Sequence, residues 1–190
     1  APCIAYANYK IAAKNPNANI VVAPSDHLIT KEDEFIRVSN LALDYTSQNN
    51  CLITLGITPS RPDTGYGYIQ FSQENDHEIK KVKTFTEKPN LEVAKQFIES
   101  GDFCWNSGMF VWSLSSIKEA FKNLLPEVDE VFQKGVGKYN LPEEQNFIKN
   151  AYATCQNISI DYGVMEKSKN VFVISADIGW SDLGTWGSIY

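Results

Sequence analysis

A chain of 190 residues, 43% of them hydrophobic, can bury a core large enough for one domain or slightly more. Its 17 Lys and Arg against 23 Asp and Glu give a net charge of −6, with no basic stripe to follow a nucleic-acid backbone and no block of like charge that reads as an interaction tail. No apolar run approaches the ~18 residues of a membrane span. The N-terminus lacks a secretory pattern, and Cys3, Cys51, Cys104 and Cys155 lack metal-site spacing, so reduced thiols in a soluble, cytoplasmic protein are expected.

The first predicted element is the apolar run Ile20-Val-Val-Ala23, a strand, followed by Pro24-Ser-Asp-His27, which sets Asp26 past the strand's carboxyl end. Phe35, Val38, Leu41, Ala42 and Tyr45 then recur at helical spacing behind the capping pattern Thr30-Lys-Glu-Asp33. Residues 51–57 read as a second buried strand, and the turn-forming stretch 58–65 leads into a third at 68–71. Residues 79–85 alternate as a strand, Leu91, Ala94 and Ile98 mark a helix face, and residues 108–112 are strand-like. Helices are predicted over 116–125, 126–134 and 142–154, with Pro126 and Pro142 at two of their starts. Residues 171–174 return to strand, and Asp177-Ile-Gly-Trp-Ser-Asp-Leu-Gly-Thr-Trp186 sets Asp182 between a strand and a helix start. Alternation of this kind predicts an α/β fold with a mainly parallel sheet and helices on its faces, with no repeat or linker over 1–190.

Several residues in this frame carry chemistry. Asp26 and Asp182 are the oxygen donors that a hard cation needs, since Mg²⁺ is held by one or two carboxylates plus substrate phosphates and water; each also reads as a helix N-cap. In Pro62-Asp-Thr-Gly-Tyr-Gly-Tyr-Ile69, Gly65 and Gly67 let backbone approach a ligand while Tyr66 and Tyr68 wall a cleft, or they simply form a tight loop. Glu87 can accept from two hydroxyls and Lys88 is a compact phosphate partner, although Glu-Lys-Pro is also an ordinary surface turn. Asn106, in Trp105-Asn-Ser-Gly-Met-Phe110, offers donor and acceptor to a hydroxyl or bonds its own turn. Asp161 either caps a helix over 162–167 or touches a sugar. His27 orients the Asp26 loop or is structural, Trp112 reads as core, and Trp180 is placed to shape a cleft.

Together with Phe85-Thr-Glu-Lys-Pro89 and Ser159-Ile-Asp-Tyr-Gly-Val-Met-Glu-Lys167, these motifs follow one order along nearly the whole chain. In that order the sequence resembles the mannose-1-phosphate guanylyltransferases of the sugar nucleotidyltransferase family. The resemblance implies a mainly parallel, Rossmann-like nucleotidyltransferase sheet over 1–190, a partial domain lacking its first strand and glycine-rich phosphate loop. It implies transfer of a nucleotidyl group from GTP to mannose 1-phosphate, giving GDP-mannose and pyrophosphate, with Mg²⁺ held by Asp26 and Asp182. Gly67, Glu87 and Asn106 would meet the sugar, Lys88 its phosphate, and Asp161 would stand in second rank. Guanine preference comes from the resemblance alone. A related enzyme for another sugar 1-phosphate, or a non-catalytic sugar-phosphate-binding module, are the alternatives. A chain without the phosphate loop is expected to be inactive alone, and an unpaired strand edge invites pairing into a homo-oligomer.

Overall fold

The computed structural model describes residues 1–74 and 77–183. In chain order it has helix α1 (Pro2–Ala12), strands β1 (Asn19–Val22) and β2 (Leu28–Ile29), helix α2 (Glu32–Gln48), strands β3 (Leu52–Ile57), β4 (Tyr68–Phe71) and β5 (Ile79–Thr86), and helix α3 (Leu91–Ser100). Strand β6 (Phe103–Ser113) precedes helices α4 (Leu114–Leu124), α5 (Pro126–Gln133) and α6 (Glu144–Thr154), a π-helical turn (Asp161–Met165), and strands β7 (Val171–Ser175) and β8 (Trp180–Ser181). Most strands and helices read from the sequence are present, the helix read over 162–167 is the π-helical turn, the helix start after Asp182 lies outside the described residues, and α1 is one that the periodicity did not reveal. Its alanine-rich segment has Pro2 at its first turn, where the missing N–H costs nothing.

Two compact units result, Ala1–Ile20 with Ser113–Lys169, and Val21–Trp112 with the chain from Asn170 onward. In the first unit α1 packs on α4 and α5, and α5 on α6. Tyr9 donates to Asp129 at 2.8 Å, and the side chain of Ser113 caps α4 by accepting from the Ser116 amide at 3.2 Å. No helix among the described residues is long and apolar enough to cross a membrane.

The second unit holds the sheet, ordered β1-β6-β3-β7-β5-β4, with β6 also pairing β4. The α/β class stands, but the sheet is mixed where a mainly parallel one was expected. β3 and β7 run parallel, whereas the β3–β6, β4–β5, β4–β6 and β5–β7 pairs are antiparallel. For the β4–β5 pair the reason is the short connection of residues 72–78, since a parallel pairing needs a long crossover and a short loop folds the strand back.

Because Trp105 of β6 pairs with Ile57 on one side and Tyr68 on the other, the strands from β3 through β7, β5 and β4 curl round to meet β6 again. The inside of this curl is a small core of Ile69, Phe71, Cys104 and Val173. Gly56 sits against it, where a Cβ would collide with Cys104 Sγ and approach Val173 Cγ2 to 2.8 Å. A second core joins Ile53, Leu55, Met109, Val111 and Ile174 of the sheet to Val38 and Ala42 of α2 and Ala94 of α3. At roughly 1.5–3 kcal/mol for each buried Val, Leu, Ile or Met, this layer supplies much of the unit's cohesion.

Thr30 does not cap α2 as the sequence pattern predicted. Lys31 occupies the N-cap position without a side-chain bond, and the Thr30 hydroxyl donates to Gly179 O at 3.2 Å. That contact extends a separate two-stranded ribbon, β2 against β8, with Leu28 opposite Ser181 and Ile29 opposite Trp180.

Candidate functional site

The ribbon is what positions the two acids. Asp26 lies two residues before β2 and Asp182 one residue after β8, so continuing the antiparallel register by one step sets Asp182 opposite His27 and beside the loop bearing Asp26. Asp182 therefore follows a strand of the ribbon, where the main sheet had been expected; the helix start at Gly184 and the side chain of Trp186 lie outside the described residues. The charges of Asp26 and Asp182 both act on His27, whose pKa is nonetheless lowered because burial penalises the imidazolium more than the two acids favour it.

His27 is held as an acceptor. Its Nδ1 takes a hydrogen bond from Trp180 Nε1 at 3.0 Å, and the rings meet edge to face at 5.3 Å. Trp180 in turn stacks edge to face on Tyr66, 5.3 Å away, and Tyr66 lies 5.0 Å from Trp105. The Tyr66 hydroxyl donates to Asp182 Oδ1 at 3.1 Å, and burial together with the Asp182 charge raises the phenol's pKa. Arg61 sits over the Trp105 ring at 5.4 Å and is tied by Asp63, whose other oxygen accepts the Gly65 amide at 2.8 Å. These contacts tie the loop together through Asp63.

Gly67, Glu87 and Asn106 form the next cluster. The Asn106 amide donates to Gly67 O at 2.8 Å. A Cβ on Gly67 would collide with Glu87 Oε2, so only glycine lets the Glu87 carboxylate lie against the strand. Lys88 Nζ is 3.5 Å from Glu87 Oε1, its side chain 64% exposed. Lys88 also has φ of +47°, a left-handed conformation that costs a lysine roughly 1–2 kcal/mol and turns the chain between β5 and Pro89.

Six of the residues singled out in the sequence, Asp26, Gly67, Glu87, Lys88, Asn106 and Asp182, therefore lie in the second unit. Asp161 belongs to the first, where its charge favours the protonated α-amino group of Ala1. It does not cap a helix. It is the first residue of the π-helical turn, and Ser159 Oγ accepts the Tyr162 amide instead. Tyr68 does not wall a cleft: it is fully buried, with its hydroxyl donating to Asp63 O at 3.0 Å. Trp112 is core, as expected. The Tyr66–Asp182 and Trp180–His27 bonds went unseen in the sequence, whose one signal for them was the aromatic company of the two acidic motifs.

The donor set suits a hard divalent cation. Carboxylates are its preferred ligands, and no group of three or more His, Cys, Asp or Glu among the described residues forms an all-protein cage, so phosphate and water oxygens would complete the shell.

A sequence profile of the nucleotidyl transferase family matches residues 1–190. The mannose-1-phosphate guanylyltransferase of Escherichia coli is 37% identical over 199 aligned positions, covering 100% of this chain and 42% of that protein. RfbM of Salmonella typhimurium, also named as a mannose-1-phosphate guanylyltransferase, is 36% identical over 195 positions, covering 100% of this chain and 40% of its own length. The chain thus spans less than half of these relatives. Among solved structures, one described as mannose-1-phosphate geranyltransferase from Thermus thermophilus superposes with a TM-score of 0.84 at 28% identity, over 95% of this chain and 51% of the other.

Proposed function

The chain belongs to the nucleotidyl transferase family, and from that footing we propose that it carries the metal and sugar-phosphate ends of an enzyme joining GTP and mannose 1-phosphate into GDP-mannose and pyrophosphate. The observation that carries this reading is Tyr66. Its hydroxyl holds Asp182, its ring lies 5.0 Å from that of Trp105, which precedes Asn106, and its neighbour in sequence is Gly67, so this one residue links the acidic cluster to the Gly67–Glu87–Asn106 cluster.

In this reading a phosphate oxygen of mannose 1-phosphate attacks the α-phosphorus of GTP. The new P–O bond forms as the bond to the β-phosphate oxygen breaks, and pyrophosphate leaves. Mg²⁺, held by Asp26 and Asp182, would offset charge on the phosphates. The remaining work is positional: Glu87 and Asn106 orient the sugar, and Lys88 pairs with its phosphate. Holding the two reactants in line is where most of the acceleration comes from, because the sugar phosphate is already an adequate nucleophile.

The test is turnover of the full-length gene product with GTP, mannose 1-phosphate and Mg²⁺, run against glucose 1-phosphate and against ATP and UTP. GDP-mannose formation above every other pair is expected. Preference for another sugar 1-phosphate or another base would replace the assignment of substrate, and tight sugar-phosphate binding without turnover would show a binding module.

A further inference from the structure

The chain carries arginine at two positions, Arg37 and Arg61, and the two are held differently. Arg37 Nε and Nη2 donate to the two oxygens of Glu34 at 2.8 and 2.9 Å, while its Nη1 and Nη2 donate to those of Glu78 at 3.2 and 2.7 Å. Two carboxylates thus take up its fork. Arg61 has one. Its Nε and Nη2 converge on the single oxygen Asp63 Oδ2, at 3.0 and 2.7 Å, and Asp63 Oδ1 is occupied by the Gly65 amide. A guanidinium carries five N–H groups in a planar fork, so one carboxylate oxygen leaves the Nη1–Nη2 edge of Arg61 off that acid.

The place of Arg61 matters as much as its bonds. It lies over the ring of Trp105, itself only 4% exposed, at 5.4 Å, yet the Arg61 side chain is 57% exposed. Backed by a buried indole and tied by Asp63, the guanidinium is held in one position and still reached by solvent. Burial works against its charge, but Asp63 and the Tyr66 hydroxyl together outweigh it. That same hydroxyl donates to Asp182 Oδ1 at 3.1 Å. Arg61 therefore borders both the residue that holds the candidate metal carboxylate and the one that precedes Asn106. Arginine's fork matches phosphate oxygens in pairs, and cationic side chains work with Mg²⁺ as clamps on transferring phosphoryl groups.

We infer that Arg61 is a phosphate-binding residue: the guanidinium edge that Asp63 leaves open receives a phosphate oxygen of a reactant lying beside Asp182, in a contact separate from that of Lys88. This rests on the sugar-phosphate reading above. Lys88 offers a point charge, whereas Arg61 offers a fork already set by Trp105 and Asp63.

Two reactants carry such a phosphate, GTP and mannose 1-phosphate, and calorimetric titration of each separately into the full-length protein with Mg²⁺ present tells them apart. Melting temperature is recorded for each variant. Arg61→Gln is expected to weaken one or both about tenfold at low salt, the loss of a charge-assisted bond. The ligand that loses affinity identifies the phosphate that Arg61 meets. The loss should shrink as salt is raised, because salt screens an interaction between exposed charges. Arg61→Lys, which keeps the charge without the fork, should fall between Arg61→Gln and wild type. Unchanged affinity for both ligands in folded Arg61→Gln would overturn the inference. So would a loss that salt does not alter, by showing that Arg61 acts only as support for Trp105 and its loop. Where Arg61→Gln does not fold, Arg61→Lys takes its place, and unchanged affinity for both ligands is then the overturning result. Uptake of neither ligand by the wild type would overturn the sugar-phosphate reading itself.

Discussion

Two polar clusters, one in each unit, hold a carboxylate in opposite ways. In the first unit Glu144 accepts from both the Lys10 ammonium and the Tyr6 hydroxyl, and its second oxygen takes the Asn140 amide at 2.6 Å. The carboxylate is 9% exposed, and those bonds, that of Lys10 foremost, depress its pKa to about 2. In the second unit Tyr66 holds Asp182 through a neutral hydroxyl, which orients a carboxylate without cancelling its charge. A cationic donor offsets the charge of the carboxylate it holds, whereas a hydroxyl orients a carboxylate without adding a charge of its own. The Tyr6–Lys10–Glu144 cluster pins the Asn140 turn, where φ is +64°, onto α1, and the Tyr66–Asp182 bond ties the loop before β4 to the residue after β8.

The largest effect that can test this contrast is at Asp182. Asp182→Asn keeps an oxygen for the Tyr66 hydroxyl and changes only charge and basicity, so the fold should be retained. Turnover by the full-length protein should fall on the order of a thousandfold, the ~4 kcal/mol that metal-borne charge stabilisation supplies. Steady-state kinetics across a Mg²⁺ titration, with circular dichroism for the fold, provide the check. Near-wild-type turnover in the folded variant would place the cation elsewhere.

A smaller loss is expected at the other end of the site. Lys88→Met removes a charge-assisted bond worth about 1.5–3 kcal/mol, so mannose 1-phosphate should bind roughly ten- to a hundredfold more weakly. Affinity for GTP should be unaltered. Calorimetry with both ligands separates the outcomes, and equal losses would remove Lys88 from the sugar-phosphate subsite.

What was legible in the sequence was what short range determines. Six successive buried residues in β3 announce a strand covered on both faces, and the acidic and glycine motifs announce their own chemistry. The mixed pairing was not legible, because strand direction depends on what joins and covers the strands. Nor was the ribbon, whose two-residue strands are too short to show a period. In the site, individual residues stood out but their couplings did not. Tyr66 meets Asp182 across 116 positions, Trp180 meets His27 across 153, and Thr54 meets Asn106 across 52.

The smallest effect on activity is expected at Glu144, and there the contrast is sharpest. Glu144→Gln keeps the shape of the side chain, so turnover should match wild type within error. Stability should change, and in a defined pH window. The folded-state pKa of Glu144, about 2, lies below its ordinary value of 4.5, so the folded form holds the ionised group more tightly than the unfolded chain does. The resulting stabilisation is fully present above about pH 4.5 and is lost as pH falls from there toward 2. Melting temperatures measured from pH 7 to pH 3 should therefore fall less steeply for Glu144→Gln than for wild type, with the variant already lower at pH 7 and the two curves converging in acid. Parallel curves would show that Glu144 titrates alike in both states, and a loss of turnover at neutral pH would show that the cluster in the first unit is not purely structural.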